Sequence, residues 1–121
     1  MLGLNMNSQS SADYAQLLTD FLKAYESKDI AAISEMFSSD VLLRDWNLEV
    51  TGKVEALREF EKNFAAAQSL KIAIKNVYVS ESGAAAELEI LVNQTESLRV
   101  VDVVTFDTSN KITSVVSYKG L

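Results

Sequence analysis

Apolar residues recur along this chain first with a helical period and later with a strand period. Tyr14, Leu17, Leu18, Phe21, Leu22 and Tyr25 are spaced as one face of a helix. The pattern predicts a helix from Ala12 with Ser10 or Ser11 as its cap. Before it, Met1–Ser11 is polar and Ser/Asn-rich, the composition of a flexible terminus. Asp29 is expected to cap a shorter helix carrying Ile30, Ile33, Met36 and Phe37, ended by Ser38-Ser39-Asp40. Val41–Trp46 reads as a short strand, with Val41, Leu43 and Asp45 on one face and Leu42, Arg44 and Trp46 on the other. Thr51-Gly52 opens a third predicted helix running to about Gln68, with Val54, Leu57, Phe60 and Phe64 inward.

From Leu70 the period becomes two. Leu70, Ile72 and Ile74 alternate with Lys71, Ala73 and Lys75, and Ser82-Gly83 turns the chain into Ala84–Asn93. Asn93–Glu96 leads into Leu98–Asp107, and Asp107–Asn110 into Lys111–Lys119. Three helices with an antiparallel meander of long strands predict a single α+β domain over residues 12–121, the helices covering one face of a curved sheet.

Leu98–Asp107 is the most informative of these strands. One face carries Leu98, Val100, Asp102, Val104 and Phe106, so a carboxyl stands among four apolar neighbours. Burial disfavours the ionised form of such a group. Either the strand frays at Asp102, or the acid sits in a pocket with a raised pKa, which makes it a functional candidate. The opposite face, Arg99, Val101, Val103, Thr105 and Asp107, is half apolar, more than a solvated face needs. It predicts a homodimer through that outer face; the alternative is an ordinary solvated surface with a few valines.

Composition narrows the chemistry. The 121 residues are 48% hydrophobic, enough for a core without staples, and carry a net charge of −6, which argues against nucleic acid or an anionic membrane as partner. There is no cysteine and no histidine, which removes thiol chemistry, Ser-His-Asp catalysis and most zinc sites. Carboxylates, tyrosines, lysines and hydroxyls are left. No apolar run is long enough to span a membrane and the N-terminus lacks the features of a secretory signal, so a cytoplasmic location is the expectation.

The order of elements, together with Lys28-Asp29, Phe37-Ser-Ser-Asp40-Val41, Gly52, Leu57-Arg-Glu-Phe60, Val101-Asp102, Phe106 and Lys111-Ile112, resembles the nuclear-transport-factor-2-like superfamily, in its SnoaL-like and ketosteroid-isomerase branch. The resemblance covers about Leu17 to Gly120. It implies a cone-shaped, antiparallel or mixed curved sheet with three helices on its concave face, enclosing a pocket for a small apolar molecule, with no cofactor and no metal. Asp45 falls where the isomerases carry their general base, and Asp102 where they carry a neutral aspartic acid that donates to the developing oxyanion. Phe21, Trp46, Phe60, Val100, Val116 and Tyr118 would be the ligand-binding walls.

Departures from the isomerase pattern are equally specific. Phe21 stands in place of an oxyanion tyrosine, Glu61 of a supporting tyrosine, Trp46 of a proline and Val103 of a histidine. Tyr14, Tyr25 and Tyr118 are the candidates for a substitute hydroxyl. Losing one oxyanion donor typically costs roughly 10²–10³ in rate. The alternatives to an isomerase- or dehydratase-like enzyme are a non-catalytic ligand-binding module and a dimeric interaction protein whose cone is filled by its own side chains. On those readings Asp45 pairs with Arg44 or Lys53, and Asp102 with Arg99 or a hydroxyl.

Overall fold

A computed structural model describes the backbone of residues 2–120 and the side chains of residues 14–120. Three helices, α1 (Leu2–Glu26), α2 (Ile30–Met36) and α3 (Lys53–Ala66), accompany six strands: β1 (Phe37–Arg44), β2 (Glu49–Thr51), β3 (Leu70–Val79), β4 (Gly83–Val92), β5 (Glu96–Phe106) and β6 (Ile112–Lys119). The strands form one open mixed sheet in the order β2-β1-β6-β5-β4-β3. Strands β3 to β6 are the expected antiparallel meander, whereas β1 joins it by pairing parallel to β6. Helix α1 packs on β3 and β4, and α3 on β1 and β2. Leu18, Phe21, Ile33, Phe37, Leu88 and Val104 are among the fully buried core side chains between these layers.

Local chemistry explains the joints. Asp29 caps α2, its carboxylate accepting from the Ala32 amide at 3.0 Å. Lys28 adopts φ 59° as the chain leaves α1, and its ammonium donates to the carbonyls of Phe64 and Ala67 at the end of α3. A cation at a helix C-terminus satisfies carbonyls that have no intrahelical partner. Glu26 accepts from the Ile72 amide at 2.7 Å, pinning the end of α1 to β3. Gly52 precedes α3 at φ 101°, a backbone conformation that favours glycine.

Several expected boundaries and faces move. Helix α1 begins at Leu2, so the caps expected at Ser10 or Ser11 fall within it, and their side chains lie outside the described residues. Phe37 opens β1 instead of closing α2, and β1 ends at Arg44, one residue before Asp45. The short strand β2 was not expected. Val54, expected inward, is 69% exposed, because the buried stripe of α3 is Ala56, Phe60 and Phe64. At 100° per residue, Val54 lies about 120° from the middle of that stripe.

Candidate functional site

A cavity of 460 Å³ opens between the inner face of the sheet and helices α1 and α3. Its floor is apolar, with Leu88 from β4, Val100 from β5 and Val115 from β6. Phe21 and Tyr25 enter from α1, Phe60 and Asn63 from α3, and Asp45 and Trp46 from the β1–β2 turn. The polar lining groups on the strands are Asp102, Ser117 and, at the start of β5, Glu96. The volume lies within the roughly 300–1,000 Å³ typical of small-molecule sites.

Asp102 is a member of the inner row of β5 with Val100, Val104 and Phe106, and at 8% exposure it is the buried acid of the described residues. Strand β5 does not fray: Asp102 pairs with Ala86 on one side and Ser117 on the other. The Ser117 hydroxyl donates to Asp102 Oδ1 at 2.6 Å. Burial pushes the carboxyl up to about 6, and the Ser117 hydrogen bond works against that rise. Among the described residues, Ser117 is its one hydrogen-bond partner, which leaves Oδ2 on the cavity side.

Asp45 reaches the same cavity by a different route. Leu43 pairs with Val115 in the parallel β1–β6 ladder. The ladder ends at Arg44 and Val116, so Asp45 opens the turn just beyond it, while Ser117, the next residue of β6, faces Asp102 across β5–β6. Both acids are among the residues that line the cavity. Asp45 also organises its own turn. Its Oδ1 accepts from the Asn47 and Leu48 amides at 2.7 and 3.0 Å, an Asx turn that ends β1. It pairs with neither of its expected cations: Arg44 instead bridges to Glu49 at 3.6 Å.

Of the three tyrosines weighed as hydroxyl donors, Tyr25 lines the cavity. Tyr14 stacks on Phe106 with ring centroids 5.1 Å apart, and Tyr118 is 59% exposed. Tyr25 stands one helical turn beyond Phe21, edge-on to Phe60 and Phe64 at 5.0 and 4.8 Å. Its hydroxyl accepts from Asn63 Nδ2 at 3.2 Å, which leaves its own proton to be donated. Burial raises its pKa, the Asn63 hydrogen bond lowers it, and the negative charges of Asp102 and Asp45 raise it further.

The structure brings Phe21, Trp46, Phe60 and Val100 to the cavity with Asp45 and Asp102. Val116 and Tyr118 are not among its lining residues. An irregularity at the start of β6 is the reason. Phe106 pairs with Ile112, but Thr105 pairs with Ser114, so one extra residue is inserted. Thr105 Oγ1 bonds the hydroxyls of both Thr113 and Ser114 there, at 2.8 and 2.5 Å. A bulge reverses the parity of every residue after it. Val115 and Ser117 consequently face in, and Val116 and Tyr118 pair with Val103 and Val101 on the outer face. Tyr25 is one of the three expected hydroxyl candidates, whereas Asn63 was missed, its one signal being a polar residue beside Phe60 and Phe64 on α3. Ser117 carried no signal without the bulge. Among the described residues, no group of three or more acidic, histidine or cysteine side chains is arranged to hold a metal ion.

An open sheet over three helices, with a pocket at the sheet's inner face, defines the nuclear-transport-factor-2-like class. Residues 18–115 match the model of the SnoaL-like domain, and the chain belongs to that family. Among solved structures, it is similar to the epoxide hydrolase/cyclase-like enzyme SalBIII of pyran ring formation in salinomycin (18% identity, 93% of this chain and 95% of that one, TM-score 0.80). It is also similar to a provisionally assigned ketosteroid isomerase from Kribbella flavida (12%, 92% and 80%, TM-score 0.81). A nuclear-transport-factor-2-like protein of unknown function from Mesorhizobium loti is a third (14%, 92% and 93%, TM-score 0.78). At these identities the likeness is one of fold. No curated protein sequence matches the chain.

Proposed function

We propose that this protein binds a small, apolar, cyclic carbonyl compound in the cavity and moves a proton on it, with Asp45 as base and Asp102 as hydrogen-bond donor. The supporting observation is that Asp45, Ser117 and Asp102 line one 460 Å³ cavity, with Ser117 hydrogen-bonded to Asp102. Abstraction of a proton next to a carbonyl needs a carboxylate to take it and donors to hold the enolate oxygen. Asp45 Oδ2 takes the proton. Asp102, protonated on Oδ2 while Oδ1 accepts from Ser117, donates to the oxygen together with Tyr25. With the cavity open, an acid of pKa about 6 is mostly ionised at pH 7. An apolar ligand expels water and shifts it toward the neutral donor form. Returning the proton at a conjugated carbon completes an isomerisation; expelling a β-hydroxyl completes a dehydration.

Isomerisation of a β,γ-unsaturated cyclic ketone to its conjugated isomer, followed by ultraviolet absorbance, is the test. Asp45→Asn should abolish the rate above buffer, and Asp102→Val, which removes the donor, should lower it by roughly 10²–10³. A wild-type rate equal to that of buffer overturns the proton-transfer reading. A second reading, a ligand-binding module without catalysis, is favoured by Asp45 Oδ1, already occupied by two amides of its own turn. It predicts ligand binding that survives Asp45→Asn with no turnover in either protein.

The same proposal includes a homodimer through the outer face of the sheet. Val101 and Tyr118 are exposed there as a cross-strand pair, next to the Val103–Val116 pair. Apolar cross-strand pairs on a solvent face are what a second copy would cover.

A further inference from the structure

The residues lining the cavity include the acids Asp45, Glu59, Glu96 and Asp102 and no lysine or arginine. Glu59 is bridged to Lys62 at 3.1 Å on α3, while Asp45, Glu96 and Asp102 have no salt-bridge partner among the described residues. Lys119 lies over the Trp46 ring, 5.8 Å from its centroid, and is not part of the lining. Deepest of the acids is Asp102, more than nine-tenths buried, with Oδ2 unpartnered on the cavity side. Phe21, Tyr25, Phe60 and Trp46 are the aromatic residues of the same lining. The charges are one-signed, the walls aromatic and the volume enclosed enough to strengthen both effects.

We propose that the cavity selects lipophilic amines: a protonated amine enters with its apolar body against the aromatic walls and its ammonium on the Asp102 carboxylate, and carboxylates or phosphates of the same shape are excluded. A desolvated ammonium gains from a buried carboxylate that would otherwise lack a counter-charge. It gains again from aromatic faces within about 6 Å. An anion would instead meet Asp45, Glu96 and Asp102, three carboxyls without a salt-bridge partner among the described residues. The inference rests on the cavity being the ligand site, and not on proton transfer.

The two ligand classes use Asp102 in opposite states. An ammonium needs the carboxylate, and a carbonyl oxygen needs the carboxylic acid. With Asp102 titrating at about 6, amine binding tightens as pH rises through that value and ketone binding weakens. The other titratable groups facing the cavity are Tyr25 from α1, Asp45 from the β1–β2 turn, Glu59 from α3 and Glu96 from β5.

The chain's single tryptophan, Trp46, lines the cavity and reports occupancy by its fluorescence. Adamantylmethylammonium, adamantane carboxylate and adamantanone are matched in bulk, and the last cannot enolise readily, so binding is read without turnover. At pH 8 the ammonium should bind at least about tenfold tighter than the carboxylate, and about tenfold tighter than it does at pH 5. Asp102→Asn should remove the pH preference and weaken the preference for ammonium, with Asp45 and Glu96 still in the lining, while keeping adamantanone binding, which also confirms that the variant is folded. Carboxylate binding equal to or tighter than ammonium overturns the selectivity. Adamantanone bound with no ammonium bound overturns the amine class and leaves the pocket intact. If none of the three changes Trp46 fluorescence or competes in equilibrium dialysis, the cavity reading falls with it.

Discussion

The Ser117 hydroxyl donates to Asp102 Oδ1 at 2.6 Å, directly across the β5–β6 pair. It is the contact that opposes the effect of burial on this acid. Ser117→Ala should therefore move the Asp102 midpoint upward from about 6, read as the carboxyl ¹³C shift in an NMR titration. Above that midpoint, where the bond is charge-assisted, the variant should also lose roughly 1.5–3 kcal/mol of stability. A midpoint that stays in place or falls would mean that Ser117 does not govern the acid.

Asp102 itself makes the stability depend on pH. Its folded pKa, about 6, lies above the ordinary value of 3.8, so the native state holds a proton that the unfolded chain releases. That contribution is fully present below about pH 3.8 and is lost as pH rises through about 6. At pH 7 the wild type should accordingly be about 3 kcal/mol less stable than a neutral isostere at this position would make it, the effect of the Ser117 bond on the acid being already contained in that pKa. Asp102→Asn should flatten the pH dependence between pH 4 and 6, measured as the urea midpoint across that window. Parallel curves for the two proteins would place the acid in water.

Tyr25→Phe keeps the ring against Phe60 and Phe64 and removes the hydroxyl that Asn63 donates to. Adamantanone affinity should fall about tenfold, the value of one hydrogen bond to a ligand oxygen. Thermal stability should change little, since Asn63 can turn to solvent. Unchanged affinity by Trp46 fluorescence would show that the ligand oxygen sits elsewhere.

Val103→Lys places a charge in the centre of the outer face, between Ala85 on β4 and Val116 on β6. Sedimentation should show the wild type as a dimer at micromolar concentration and this variant as a monomer, with an unchanged circular dichroism spectrum. A monomeric wild type would remove the dimer from the proposal.

Sequence by itself determined whatever depends on neighbours within one element. The helical face from Tyr14 to Tyr25, the Asp29 cap and the inner row Val100-Asp102-Val104-Phe106 are all set by local periodicity, and all are present. The unusual setting of Asp102 was legible for that reason: its apolar neighbours are two residues away along a regular strand. Only tertiary structure decided what depends on register between strands. A one-residue bulge at Thr113–Ser114, invisible to a period-two pattern, turned Ser117 toward Asp102 and sent Val116 and Tyr118 outward. The parallel pairing of β1 with β6, between segments some seventy residues apart, brought the turn that carries Asp45 to the cavity that Asp102 lines. Likewise Tyr25 and Phe21 share one helix face in the sequence, but the crossing of α3 decided that Tyr25 would carry the hydroxyl beside the carboxyls. Side-chain periodicity is a property of one strand or helix, whereas a site is made where several of them meet, and that meeting is fixed by long-range pairing.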